Sequence, residues 1–293
     1  MTRSGFVALA GRPNVGKSTL VNAVVGEKVA IVSDRPQTTR RAIRGIHLCG
    51  EAQIVLVDLP GVQRPRDALT SRMARRVQHE LEDSDAALLI LNGEQGVGPG
   101  DRFIAGALAR AGTPATIAVN KVDRLAKGAL VAVLSEAAEL ELGAEVFPIS
   151  ARKGTGLTEL IAHLAGLMPE GPFMFAAEAT SDQSRELLLA ELIREAVIRR
   201  TFQEVPHAVE VVVEEVERPR PGLTRVRALI WVESESQKGI LVGAQGKMIK
   251  AIGIAARREL QRELDCQVHL DLSVRVRRDW RADEDLLDRL GID

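Results

Sequence analysis

Five short apolar runs punctuate the first half of the chain, at residues 6–10, 54–57, 86–91, 115–119 and 146–149. Their hydrophobicity is continuous rather than alternating, the pattern of strands covered by helices on both faces. Helix-like stretches separate them, so the pattern predicts a doubly wound α/β sheet with parallel strands. Ligands of such sheets gather beyond the carboxyl ends of the strands, which is where each run turns polar or Gly-rich.

The rhythm stops near Met168. Residues 169–182 begin with Pro169, Gly171 and Pro172 and carry no clear period, which predicts a linker. Beyond it, residues 184–200 place Leu189, Leu192, Ile193, Ala196 and Val197 at helical spacing, and two strand-like runs follow at 208–216 and 224–232. Gly243-Ala244-Gln245-Gly246 then leads into a helix with Ile249, Ile252, Ala256 and Leu260 on one face. A last strand alternates Val268, Leu270, Leu272, Val274 and Val276. With a short helix before the glycine pair the order becomes α-β-β-α-α-β. The predicted organisation is an α/β domain over 1–168, a linker over 169–182 and an α+β domain over 183–293.

Composition supports two folded domains. A chain of 293 residues with 45% hydrophobic and 27% charged residues is long and apolar enough for two cores and is not a disordered polymer. No run reaches the roughly 18 apolar residues that a bilayer span needs. Residues 1–11 lead into a strand without a signal-peptide cleavage pattern, so a cytoplasmic protein is expected. Cys49 and Cys266 have neither disulfide-scaffold nor metal-site spacing, and the five histidines form no ligand-spaced pair. The net charge of -1 means that any nucleic-acid surface must be local.

The candidate chemistry begins at Gly11-Arg12-Pro13-Asn14-Val15-Gly16-Lys17-Ser18, with Thr19 in the same binding segment. This is G-x-x-x-x-G-K-[ST] between a strand and a helix, the P-loop context. Backbone amides and the helix N-terminus would face phosphates, Lys17 would neutralise the β and γ groups, and Ser18 would bind Mg²⁺. Asp58, ending the second run, would hold Mg²⁺ through water, and the Gly61 amide would sense the γ-phosphate. Asn120-Lys121-Val122-Asp123 decides the base: one carboxylate at Asp123 can accept from guanine N1–H and the exocyclic amine together, a donor pair that adenine lacks. Ser150-Ala151 would bring an amide near guanine O6.

These motifs, in this order and with Gln37-Thr38-Thr39-Arg40, make the chain resemble Era-type GTPases from Gly5 to about Arg289. The resemblance implies a Ras-like G domain followed by a type II KH domain, and hydrolysis of GTP to GDP and phosphate. It makes 37–40 the first switch, with Thr39, or alternatively Thr38, on Mg²⁺; Lys17, Thr39 and Gly61 are the expected catalytic set. Val62 stands where Ras-like enzymes have a water-orienting Gln, so intrinsic turnover should be slow, and a passive GTP-binding scaffold is the rival reading. Asn14 is the residue type that related GTPases use beside a K⁺ ion; a purely local turn role is the equal alternative.

Gly243, Ala244, Gln245 and Gly246, with Lys247 and Lys250, resemble the G-x-x-G loop with which KH domains clamp single-stranded RNA. Between Lys238 and Arg281 ten basic residues face five acidic ones, a local net charge of +5. Trp231 and Trp280 read as core or docking residues, with RNA contact open for Trp280 beside Arg278 and Arg281. By resemblance the RNA would be the 3′ end of 16S rRNA, the partner the 30S subunit during assembly, and the working form a monomer. DNA is not expected, and a peripheral contact with the inner face of the membrane is left open.

Overall fold

A computed structural model of the chain describes residues 1–33, 39–61 and 67–292. Gln37, Thr38 and Val62, singled out above, lie outside the described residues. The first half runs β1 (Arg3–Ala10), α1 (Lys17–Val25), β2 (Ile43–Cys49), β3 (Ala52–Asp58), α2 (Ala68–Asp83), β4 (Ala86–Asn92), α3 (Pro99–Ala111), β5 (Ala115–Asn120), α4 (Lys127–Ala138), β6 (Val146–Pro148) and α5 (Leu157–Leu167).

Among the described residues, six strands form one sheet in the order β2-β3-β1-β4-β5-β6. Residues of β3 and β4 are buried throughout, and separate apolar clusters cover the two faces, with Leu9, Leu20 and Leu88 in one and Ala8, Leu89 and Ile104 in the other. This explains the uninterrupted hydrophobicity of the runs. The expected all-parallel sheet needs one correction: β2, unpredicted, joins β3 antiparallel through a two-residue turn at Gly50-Glu51. As an edge strand it carries Arg44 and His47, so it fits no continuous apolar template.

The second half runs α6 (Arg185–Ile198), α7 (Val205–Ala208), β7 (Glu210–Arg220), β8 (Leu223–Val232), α8 (Glu235–Val242), α9 (Lys247–Leu264), β9 (Gln267–Val276) and α10 (Glu284–Arg289). β7 pairs β8 antiparallel and β8 pairs β9 parallel. The parallel step requires a crossover, which α8 and α9 supply. Ile252, Ala256 and Leu260 of α9 are fully buried against this sheet. The short α7 and the terminal α10 are additions to the expected order.

Residues 169–182 do not hang free. Pro169 O accepts from Ser4 N (3.1 Å), Gln53 binds the backbone of Met174 and Phe175, and Thr180 O accepts from Ile46 N (2.9 Å). The segment is a strap across the edge of the first sheet.

A further cluster joins the halves: Leu69 and Met73 of α2 pack with Trp280, Leu286, Leu287 and Ile292. Trp280 is fully buried and donates to Ala208 O, so it belongs to this contact and is withdrawn as an RNA residue. Arg281, counted above with the basic segment, pairs with Asp67 at the N-cap of α2. Arg72 of α2 reaches Glu284, Asp288 and Ile292 O. Next to this cluster Arg40 and Arg41 enter a buried group with Glu191, Arg194 and Glu210. Among the described residues no single helix is long and apolar enough to cross a membrane.

Burial alone would push the Glu210 carboxyl up, but Arg41, Arg40 and Arg194 outweigh it and hold it at about 2, against an ordinary 4.5. A depressed folded-state pKa contributes stability that is complete above the unfolded value and is lost as pH falls toward the folded one. Thermal unfolding should therefore shift to lower temperature between about pH 4.5 and 2. Glu210→Gln, which strands buried guanidinium charge, should be about 3–5 kcal/mol less stable at pH 7 and lack that acid component. Parallel acid slopes in the two proteins would contradict the assignment.

Candidate nucleotide site and nucleic-acid interface

The phosphate cradle follows from the turn between β1 and α1. Gly16 sits at φ +105°, and a Cβ there would lie 2.3 Å from Asn120 Nδ2, so glycine is required on both counts. α1 begins at Lys17 and directs its unpaired N-terminal amides and the positive end of its dipole into the loop. Arg12 does not reach into the cradle: it pairs with the buried Asp101 at the start of α3 (2.9 Å), fixing the loop to that helix. Pro13, Asn14, Gly16, Ser18, Thr19 and Gly61 line the open cleft together with Lys17 and Thr39, around a cavity of about 60 Å³.

Ser18 Oγ donates to Asp58 Oδ2 (2.6 Å), and Thr39 Oγ1 lies 3.2 Å from Ser18 Oγ and 3.3 Å from Asp58 Oδ2. The three oxygens expected on Mg²⁺ therefore meet, although they come from α1, the segment before β2, and the end of β3. Asp58 is fully buried, and its Oδ1 has no hydrogen-bond partner among the described residues. An unfilled buried carboxylate oxygen beside two hydroxyls is a hard-oxygen set that suits Mg²⁺. Burial raises the Asp58 pKa, opposed by Lys17, Ser18 and Thr39; burial lowers that of Lys17, opposed by Asp58. The Lys17 ammonium donates to Gly11 O (3.2 Å) and Arg12 O (3.3 Å).

The base end is built by side chains that brace one another. Asn120 donates to Val15 O (2.9 Å) and accepts from Lys121 N (2.8 Å), and Lys121 Nζ donates to Asn14 O (2.9 Å), tying the base motif to the P-loop. Asn14 itself is at φ +63°. Ser150 Oγ donates to Asp123 Oδ1 (2.7 Å) and holds that exposed carboxylate below its usual pKa. The Ala151 amide, in the Ser150-Ala151 segment expected near guanine O6, donates to Asn120 Oδ1 (3.0 Å) and so braces the base motif.

In the second half, Gly243 and Gly246 lie at φ +68° and +74° between α8 and α9, and Gln245 also has positive φ. Ala244, Gln245, Lys247 and Lys250 are exposed. Ile240 and Ile254 are also exposed, at 44% and 37%; Ile254 lies off the face that carries Ile252, Ala256 and Leu260. Not every basic residue of the segment is free for phosphates: Arg262 pairs with Glu259, and Arg277 lies over Trp231 and near Asp283.

Two family models match, one described as 50S ribosome-binding GTPase over residues 6–121 and one as KH domain over residues 204–281. GTPase Era of Mycobacterium leprae is 45% identical over 297 residues, covering 99% of this chain and 98% of that protein. GTPase Era of Lactobacillus helveticus is 42% identical over 291 residues, covering 99% and 96%. A crystal structure of an Aquifex aeolicus Era variant bound to GDP·AlF4⁻ superposes with TM-score 0.94 at 33% identity, covering 99% of each chain. A structure of Era with MgGDPNP and nucleotides 1506–1542 of 16S ribosomal RNA superposes with TM-score 0.95 at 33% identity, covering 100% of this chain and 99% of that one.

Proposed function

Because the chain belongs to the GTPase Era family, we propose that it is a GTP-timed factor that clamps the 3′ end of 16S rRNA during assembly of the 30S subunit. The protein binds GTP and GDP with Mg²⁺ and hydrolyses GTP. Residues 1–168 act as the G domain, 169–182 as the connecting strap and 183–293 as the KH domain. The observation that carries this reading is the meeting of Ser18, Thr39 and Asp58 oxygens beside Lys17 at the mouth of the P-loop.

In this assignment Ser18 and Thr39 hold Mg²⁺ directly and Asp58 holds it through water. The ion supplies charge neutralisation on the β- and γ-phosphates. Lys17 and the amides of Asn14 to Thr19 hold the phosphates and stabilise the charge that develops as the γ-phosphoryl leaves. Gly61 supplies an amide at the γ-phosphate. Asp123, oriented by Ser150, reads guanine, and Asn120, braced by Ala151 and Val15, holds the base motif against the P-loop. Residue 62 is Val, so no side-chain amide at that position orients water and intrinsic turnover is slow. Gly243 to Lys250 take single-stranded RNA, which the relative's complex with a 16S rRNA fragment supports. The working form is a cytoplasmic monomer, and any membrane contact is peripheral.

GTP turnover measured with and without a short RNA matching the 3′ end of 16S rRNA tests this reading. Gly246→Asp is the informative loop variant: the nearest atom to a Cβ there is 4.0 Å away, whereas one at Gly243 would lie 2.7 Å from Met248 Cβ. Asp tolerates positive φ and places a negative charge where phosphates should lie. RNA should raise turnover in the parent protein, and Gly246→Asp should lose both RNA retention and stimulation. Full stimulation in the variant would remove the loop from RNA binding.

A further inference from the structure

Residues 34–38 connect two flanks that are both gripped by the carboxyl-terminal half. On the first flank, Glu195 of α6 accepts from the Val32 amide (3.1 Å) and from Lys28, and Arg199 donates to Val32 O (3.3 Å). On the second, Glu191, one helical turn before Glu195, accepts from Arg41 (3.1 Å). Glu210, opening β7, accepts from Arg40 (2.6 Å) and Arg41 (3.1 Å). Arg40 also donates to Val209 O and His207 O, and its guanidinium lies 5.4 Å from the centre of the Trp280 ring. Arg41 also donates to Leu290 O (2.6 Å).

Thr39 immediately precedes this pair of arginines, one peptide unit from a residue whose donors are tied to the other half. Of the three side-chain oxygens that meet at the metal position, its hydroxyl is the one that comes from neither the P-loop helix nor the end of β3. Buried ion pairs of this kind contribute little net stability against apolar replacements, and their best-attested use is to select one arrangement over others. The arrangement selected here is the one that puts Thr39 beside Ser18 and Asp58. The bonds that orient Lys17, Asn120 and Asp123 come, by contrast, from within the first half.

We propose that Glu195 and Glu210 are positioning residues for GTP hydrolysis, fixing Thr39 at the metal position by holding Lys28 and Val32 on one side and Arg40 and Arg41 on the other. The docked carboxyl-terminal half thereby sets how much Mg²⁺ the triphosphate state requires. GDP, held by the P-loop and the base motif, is bound independently of this grip. The inference rests on the assignment of Thr39 to Mg²⁺, so Thr39→Ala is the reference variant.

The experiment uses full-length protein and titrates GDP and a non-hydrolysable GTP analogue at a series of Mg²⁺ concentrations, alongside kcat. Glu210→Gln should raise the Mg²⁺ needed for half-maximal analogue binding roughly tenfold and lower kcat, with GDP affinity unchanged. Arg199→Ala removes a half-exposed side chain that the fold can lose, and should shift the Mg²⁺ requirement in the same direction by less. If Glu210→Gln does not fold, Arg199→Ala decides. An unchanged requirement in both variants, with Thr39→Ala raising it, overturns the inference alone. An unchanged requirement in Thr39→Ala overturns the metal assignment beneath it. Equal loss of GDP and analogue affinity in Glu210→Gln, with Arg199→Ala like the parent, assigns the carboxylates to folding only and overturns the proposal.

Discussion

Asp123→Asn should turn the base preference of the site from guanine to xanthine, by a combined change of about ten-thousandfold in relative affinity. Guanine offers two adjacent donors, N1–H and the exocyclic amine, to one carboxylate. Xanthine keeps N1–H but presents a carbonyl at the second position. Ser150 Oγ donates to Asp123 Oδ1, which fixes the side-chain plane. An Asn that keeps its oxygen toward Ser150 therefore turns its amide toward the base, matching xanthine and opposing guanine. The effect is large because the covering base leaves a mismatched polar pair without water, at a cost well above the net value of one hydrogen bond. Competition binding of GDP and xanthosine diphosphate measures it directly. A variant that still prefers GDP would mean that the base is read elsewhere.

The base motif and the P-loop were legible in the sequence because their constraints are local. A phosphate cradle needs glycine at a fixed offset from lysine, and the G-x-x-G loop needs two positive-φ positions between two helices. Of the metal triad, Ser18 and Asp58 were legible from their motifs, and Thr39 only through the resemblance. Nothing in the residues around Thr39 states that it will lie 3.3 Å from an oxygen of Asp58, since that approach depends on how the chain returns from residues 34–38.

What could not be read is the set of contacts made across long sequence distances by residue types that usually face water. Arg40 and Arg41 look like the end of a charged loop, Glu191 and Glu195 like one polar stripe of a helix, and Arg72 like the outer face of α2. Their partners lie about 150 to 220 residues away. Charge counting failed at Arg281 for the same reason: it adds to a basic segment in sequence but is paired with Asp67 in space. Trp280 carried no sequence signal that distinguished an RNA platform from a buried hinge between halves. The strand β2 was missed because an edge strand with Arg44 and His47 is half polar, and its buried side is partly Gly45, against which Val21 of α1 packs directly.

Lys17→Met should lower kcat/KM for GTP by about 10²–10³-fold while the nucleotide-free protein melts no lower than the parent. The two halves of that expectation have one source. Lys17 is 7% exposed, and burial lowers its pKa, so its ionised form is held at a cost in the folded protein near neutral pH. A lowered folded-state pKa for a lysine means that charging destabilises the fold, and a Met of similar length removes that cost while filling the same space. The loss of its attraction for the buried Asp58 works in the other direction, and Asp58 answers by taking up a proton more readily, since burial already raises its pKa. Against this near balance, catalysis loses the ammonium that should neutralise the transferring phosphoryl group in a site where water cannot replace it. A residue kept at the expense of stability is the mark of a functional position. Scanning calorimetry of the apo proteins paired with steady-state GTP turnover checks both halves. A drop of several degrees in Tm together with the lost activity would make Lys17 a structural residue and would take away the reason for calling the cleft a catalytic one.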